Sequence, residues 1–114
     1  MWLFTTSGFL SVVAHHDRPG DVLVRARVRD DIQAFCVATG APAPIKTPHR
    51  DYRWRTEVPA DVFAAYLAAQ ARAIDYGNFK NAVAARQGGG RASRYHDVWQ
   101  VMCDLQADDE RTSA

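Results

Sequence analysis

Hydrophobic residues repeat with two different periods along this chain, and the change from one to the other comes near Pro59. Before it, Val22, Val24, Ala26 and Val28 alternate with Leu23, Arg25 and Arg27. Tyr52, Trp54, Thr56 and Val58 likewise alternate with Arg53, Arg55 and Glu57. Successive side chains of an extended chain point to opposite faces, so each stretch predicts a half-buried strand. After Pro59, Val62, Phe63, Tyr66, Leu67, Ala71 and Ile74 recur at steps of three and four on an alanine-rich frame, the pattern of an amphipathic helix. Strand patterns gathered first and helical patterns mostly after indicate an α+β fold. The expected architecture is an antiparallel sheet of about four strands with three to four helices packed on one face, in two layers, leaving the other sheet face to solvent.

The remaining elements follow from local signals. The opening reads as a β-hairpin, residues 1–6 and 9–16 around the turn signal Ser7-Gly8. Asp30, with Gln33 three residues on, offers a capping box for a short helix with the stripe Ile32, Phe35 and Cys36, ending before Gly40. Residues 41–51 hold Pro42, Pro44 and Pro48 and are expected to form an extended surface loop. Asp75 is expected to cap a helix over 76–86, and Gly88-Gly89-Gly90 to act as a flexible joint. A last helix over roughly 92–105 places Tyr95, Val98, Trp99, Met102 and Leu105 on one face. Residues 1–106 are read as a single α+β domain and 107–114 as a frayed polar tail.

Composition narrows the function classes. With 47% apolar and 24% charged residues in 114, the chain has the mix of a folded globular domain rather than of a disordered segment. Its 14 Lys and Arg nearly balance 13 Asp and Glu, so total charge marks neither a polyanion binder nor an acidic mimic, and placement must decide. Cys36 and Cys103 are far apart without CxxC spacing, which argues against a zinc knuckle or redox motif and for reduced thiols in the cytoplasm. Residues 1–14 lack the basic start of a signal peptide and are too few to span a bilayer, so no membrane association is expected.

The alternation places Arg25, Arg27, Arg53 and Arg55 on the polar faces of two strands, pointing away from the helices. If those strands are neighbours, four guanidiniums gather on one surface, where planar, permanently charged donors can hold phosphate or carboxylate. Lys46, with His49 and Arg50 on the proline-rich segment, extends that anion-binding set, and Trp2 on the same face adds a stacking ring. The plainer reading is solvation: an open sheet face needs long soluble side chains, and acids such as Glu57 neutralise them.

Other clusters carry less. His15-His16-Asp17, His49, Asp51 and His96 are metal-ligand types, but adjacent histidines on a strand point to opposite faces and the spacing fits no zinc pattern, so no metal or cofactor is expected. Asp75, Tyr76, Asn78 and Lys80 crowd a helix start where acid-base chemistry could be done in principle, although capping, packing and solvation account for them better. Gly88 to Gly90 lack the lysine and the preceding strand of a phosphate-binding loop.

Met1-Trp2-Leu3-Phe4-Thr5 running into Gly8-Phe9-Leu10-Ser11-Val12-Val13 resembles the opening of a small bacterial protein family without assigned function. Val22 to Arg27, Asp51-Tyr52-Arg53 with Arg55, Tyr95 through Trp99 and, most specifically, Ile74-Asp75-Tyr76 with Asn78-Phe79-Lys80 are similar to it in the same order. The resemblance implies a stand-alone domain and supplies no activity. Three readings stand. The first is a small cytoplasmic binding or regulatory module without catalytic activity, contacting nucleic acid or another polyanion through the arginine face. The second is a protein-binding inhibitor or accessory factor of host or mobile-element origin, with an exposed apolar patch or homodimer face through the last helix. The third is a small enzyme with a site near Asp75, Tyr76 and Lys80.

Overall fold

The alternating stretches do form strands, though shorter ones than the alternation itself. A computed structural model describes residues 1–113, and the chain divides into two compact units, Met1–Asp75 and a second beginning at Tyr76. The first unit contains β1 (Trp2–Thr5), β2 (Gly8–Ala14), β3 (Asp21–Ala26), α1 (Arg29–Thr39), β4 (Ile45–Lys46), β5 (Trp54–Pro59) and α2 (Ala60–Arg72). The second contains α3 (Phe79–Gln87) and α4 (Gly89–Ser113).

The fold is α+β, with an open antiparallel sheet in the order β1-β2-β3-β5-β4. The fifth strand is the two-residue β4, inside the proline-rich segment expected to be loop throughout. Pairing with one neighbour only, it sits on the sheet edge, where flanking prolines do not interrupt a ladder.

The hairpin between β1 and β2 turns on Thr6 and Ser7, and the Ser7 amide donates to Thr5 Oγ1 at 3.1 Å. Gly8 then passes so close to α1 that a Cβ there would lie 2.4 Å from Asp31 Cγ, so only glycine fits. The buried Asp31 carboxylate accepts the Phe9 amide at 2.9 Å, tying the hairpin to the first turn of α1. Asp30 does not cap that helix: the N-cap is Val28, without a side-chain bond, and Asp30 falls within the first turn. Gly40, at φ +72°, closes the helix with its amide on Cys36 O.

Leu10, Val12, Val24, Ala26 and Val58 from the sheet meet Ile32, Phe35 and Cys36 of α1 and Phe63 and Tyr66 of α2 in one core. The Phe35 ring stands edge-on to Tyr66 at 4.8 Å, so the two helices share aromatic packing over the inner sheet face. Burial pushes the Cys36 thiol above its ordinary pKa, outweighing its hydrogen bonding with Thr56. Phe35 is fully buried, and truncating such a ring to alanine costs about 3–5 kcal/mol.

In the second unit α3 and α4 form a helical hairpin. The cap of α3 is Asn78, whose side chain accepts the Asn81 amide at 2.9 Å, rather than Asp75. Of the three glycines only Gly88 has a positive φ, +94°, while Gly89 and Gly90 lie inside α4. The joint is therefore one residue. Helix α4 continues past Leu105 to Ser113, through residues expected to fray. Asp108 with Arg111, and Gln106 with Glu110, supply the one-turn pairs that support such a polar helix end.

Candidate anion-binding face

On the outer face of the sheet the strand registers align Trp2, Ser11, Arg25, Arg55 and Ile45 in one row across all five strands. Arg25 and Arg55 are thus direct cross-strand partners, with backbones one strand spacing apart, about 5 Å. Two like charges in that relation destabilise a sheet unless something takes up the charge.

The direct partners of Arg25 are neutral. Arg25 Nη2 donates to Ser11 Oγ at 2.7 Å, and its guanidinium lies over the Tyr52 ring, 4.6 Å from the centroid. Neither contact removes charge. Arg55 is half-buried, and its Nε is shielded from solvent with no hydrogen-bond partner among the described residues. Desolvation by burial holds its pKa below the ordinary guanidinium value, with repulsion from Arg25 and Arg50 adding to the effect and Asp51 opposing it. Among the described residues no carboxylate lies within ion-pair distance of Arg25 or Arg55.

The other residues of the predicted set divide. Arg27 also lies over the Tyr52 ring, 4.3 Å from its centroid, but it is committed to Asp51 through Nη1 at 3.1 Å. That hydrogen bond raises its pKa. Arg53 lies in a bend before β5 and is exposed, outside the strand alternation that was to aim it. Lys46 is paired with Trp54 and lies 5.9 Å from its ring, on the same side as Arg29. Trp54 packs against the core, so Lys46 belongs to the inner side of the edge and not to the arginine row. Arg50 joins Arg55 electrostatically where Arg53 does not.

Tyr52 is a correction of a different kind. Its alternation with Trp54 assigns it to the core side, yet it is buried on the outer face against Arg25, Arg27 and Phe9, the last at 6.5 Å. The strand begins only at Trp54, so the two-residue period has no authority over Tyr52. Beyond it the aromatic side of the face continues, with Phe9 stacked on Phe4 at 4.5 Å and edge-on to Trp2 at 5.9 Å. Trp2 is 69% exposed. The outer face therefore has an aromatic half on β1 and β2 and a basic half on β3 and β5.

A cleft of about 560 Å³ opens beside the basic half. Leu23, Pro42 and Ile45 give it apolar walls, and Arg50 and Arg55 line it too. Arg18, Asp21 and Glu57 also line it, and there the charges are closed: Arg18 bonds Glu57 and, at 3.3 Å, Asp21. His15 Nε2 lies 2.9 Å from Glu57 Oε1, outside hydrogen-bond geometry, while its Nδ1 accepts the amides of Asp17 and Arg18. His15 and His16 lie past the end of β2 and stack on one another at 4.8 Å rather than pointing apart. No group of three or more metal-ligand side chains gathers among the described residues.

At the third predicted cluster Lys80 Nζ approaches His96 Nδ1 at 2.8 Å and lies 5.0 Å from the Trp99 ring centre, and Tyr76 packs on Phe79 at 5.8 Å. Asp75 ends the first unit and is exposed. No helix among the described residues is long and apolar enough to cross a membrane. Comparison with models of known families, with curated proteins and with solved structures finds no match to the chain.

Proposed function

We propose that this protein is a binding module without catalytic chemistry that takes a phosphate-bearing polyanion, single-stranded nucleic acid, on its outer sheet face. The observation that carries this reading is the cross-strand pair Arg25 and Arg55, adjacent and with no carboxylate within ion-pair distance among the described residues. Repulsion between two adjacent guanidiniums destabilises the free protein, and a phosphate bound beside them relieves it. A single strand suits the face better than a duplex, because exposed Trp2 and the rings behind it offer a stacking surface two strands from Arg25 in the same row. The two cysteines are unpaired, which is consistent with action in the cytoplasm.

Fluorescence anisotropy of labelled single-stranded DNA, RNA and duplex DNA at low and moderate salt tests the proposal, beside an Arg25→Ala/Arg55→Ala variant and a Trp2→Ala variant. Salt-sensitive binding of the single strands, lost in the double variant and weakened about tenfold by Trp2→Ala, supports it. Absence of binding at low salt, where electrostatic attraction is least screened, rejects it.

A further inference from the structure

Helix α4 carries an apolar face that is exposed among the described residues. It spans 25 residues, about 37 Å at 1.5 Å per residue, whereas α3 has 9 residues. The contacts between them run from Phe79 on Tyr95 to Lys80 over Trp99, and Tyr95 is the one buried residue among those described in α4. Val98, Val101, Met102 and Leu105 are all exposed. Their spacing puts them within an arc of about 100° on the helix surface. A helix half that has lost its neighbour and keeps an apolar stripe is marginal in water and gains from being covered.

Charge says what covers it. Arg94, one turn before Val98, and Asp109, one turn after Leu105, fall within the same arc, and both are exposed. Read from its start, the face is basic, then apolar, then acidic. A parallel copy would set Arg94 against Arg94 and Asp109 against Asp109. An antiparallel copy in a single register instead sets Arg94 opposite Asp109, Val98 opposite Leu105, and Val101 opposite Met102, twice over by symmetry. The helix dipoles oppose one another in the same arrangement.

We propose that the Arg94 to Asp109 face of α4 is the docking site for a second copy of this chain, the two helices pairing antiparallel about Val101 and Met102. This inference does not depend on the anion-binding reading. Where both hold, the dimer presents two arginine faces and gains avidity for a long polyanion.

Sedimentation velocity of the full chain from about 1 to 200 µM tests it, with a monomer–dimer midpoint expected on the order of tens of µM. Leu105→Glu should remain monomeric across the range. Arg94→Asp and Asp109→Arg should each weaken dimerisation about tenfold, and Arg94→Asp/Asp109→Arg together should return it to within about twofold of the parent. Circular dichroism confirms that each variant keeps its helix. A parent chain that stays monomeric throughout, or a charge-swapped double variant no better than the single ones, overturns the proposal.

Discussion

Two groups of charges line the cleft on the outer sheet face, and they are held in opposite ways. Arg18 is bound by Glu57 and Asp21, and Glu57 also faces His15. Arg55 has Arg25 and Arg50 for neighbours, opposed only by Asp51, which lies beyond ion-pair distance and is paired with Arg27, and its Nε has no acceptor among the described residues. Each group centres on an arginine that lines the same cleft, and a count of charges would treat the two arginines alike. In the first, each charge is answered by an opposite one. The second stores repulsion, which an anion would remove. Uncompensated charge, rather than charge as such, distinguishes the candidate site.

That contrast is open to direct attack. The largest expected effect is on binding: Arg25→Ala/Arg55→Ala should lower affinity for a single-stranded oligonucleotide by roughly 100-fold at low salt, two charge-assisted hydrogen bonds at about 1.5 kcal/mol or more each, while Arg18→Ala changes it less than about threefold. Anisotropy titrations separate the two. Next, Arg55→Met should weaken binding about tenfold and yet raise stability by ~1 kcal/mol, an increase of about 4 °C in Tm, because an apolar chain replaces a buried donor without a partner. The matching Arg18→Met should leave stability unchanged or lower it by up to about 1 kcal/mol, since it breaks exposed ion pairs. Thermal melts of the two variants side by side would show opposite signs. A smaller effect follows from Glu57→Gln, which removes one acid from the cleft and leaves Arg18 paired with Asp21 alone, and should raise oligonucleotide affinity about threefold at low salt and not at all in high salt. Smallest of all is Arg27→Ala, expected to change affinity less than about twofold because Asp51 already holds that guanidinium.

How far the sequence reveals this site depends on how far each strand runs. Arg25 and Arg55 lie inside strands, and the two-residue period assigns both to the outer face correctly. Arg53 and Tyr52 lie just before β5, where a bend replaces the strand and the same period misassigns them. Lys46 sits in a segment whose three prolines mask a two-residue edge strand, too short to leave a period at all. Adjacency of β3 and β5 is a long-range fact: no local signal says that Glu57 will face Leu23 or that Arg55 will face Arg25. The pairing of Arg25 with Ser11 is equally invisible, because it depends on the register between β2 and β3. In the helical part, Asn78 outcompetes Asp75 as a cap by three positions, a choice among several good capping residues that spacing leaves open.

The measurement that bears most directly on the central claim is the salt dependence of single-strand binding, compared between the parent chain and Arg25→Ala/Arg55→Ala. If the uncompensated pair contacts two phosphates, the slope of log K against log salt should be shallower in the variant by about 1.4, near 0.7 for each contact. Equal slopes in the two proteins would mean that phosphate is not held there, and the claim would fail.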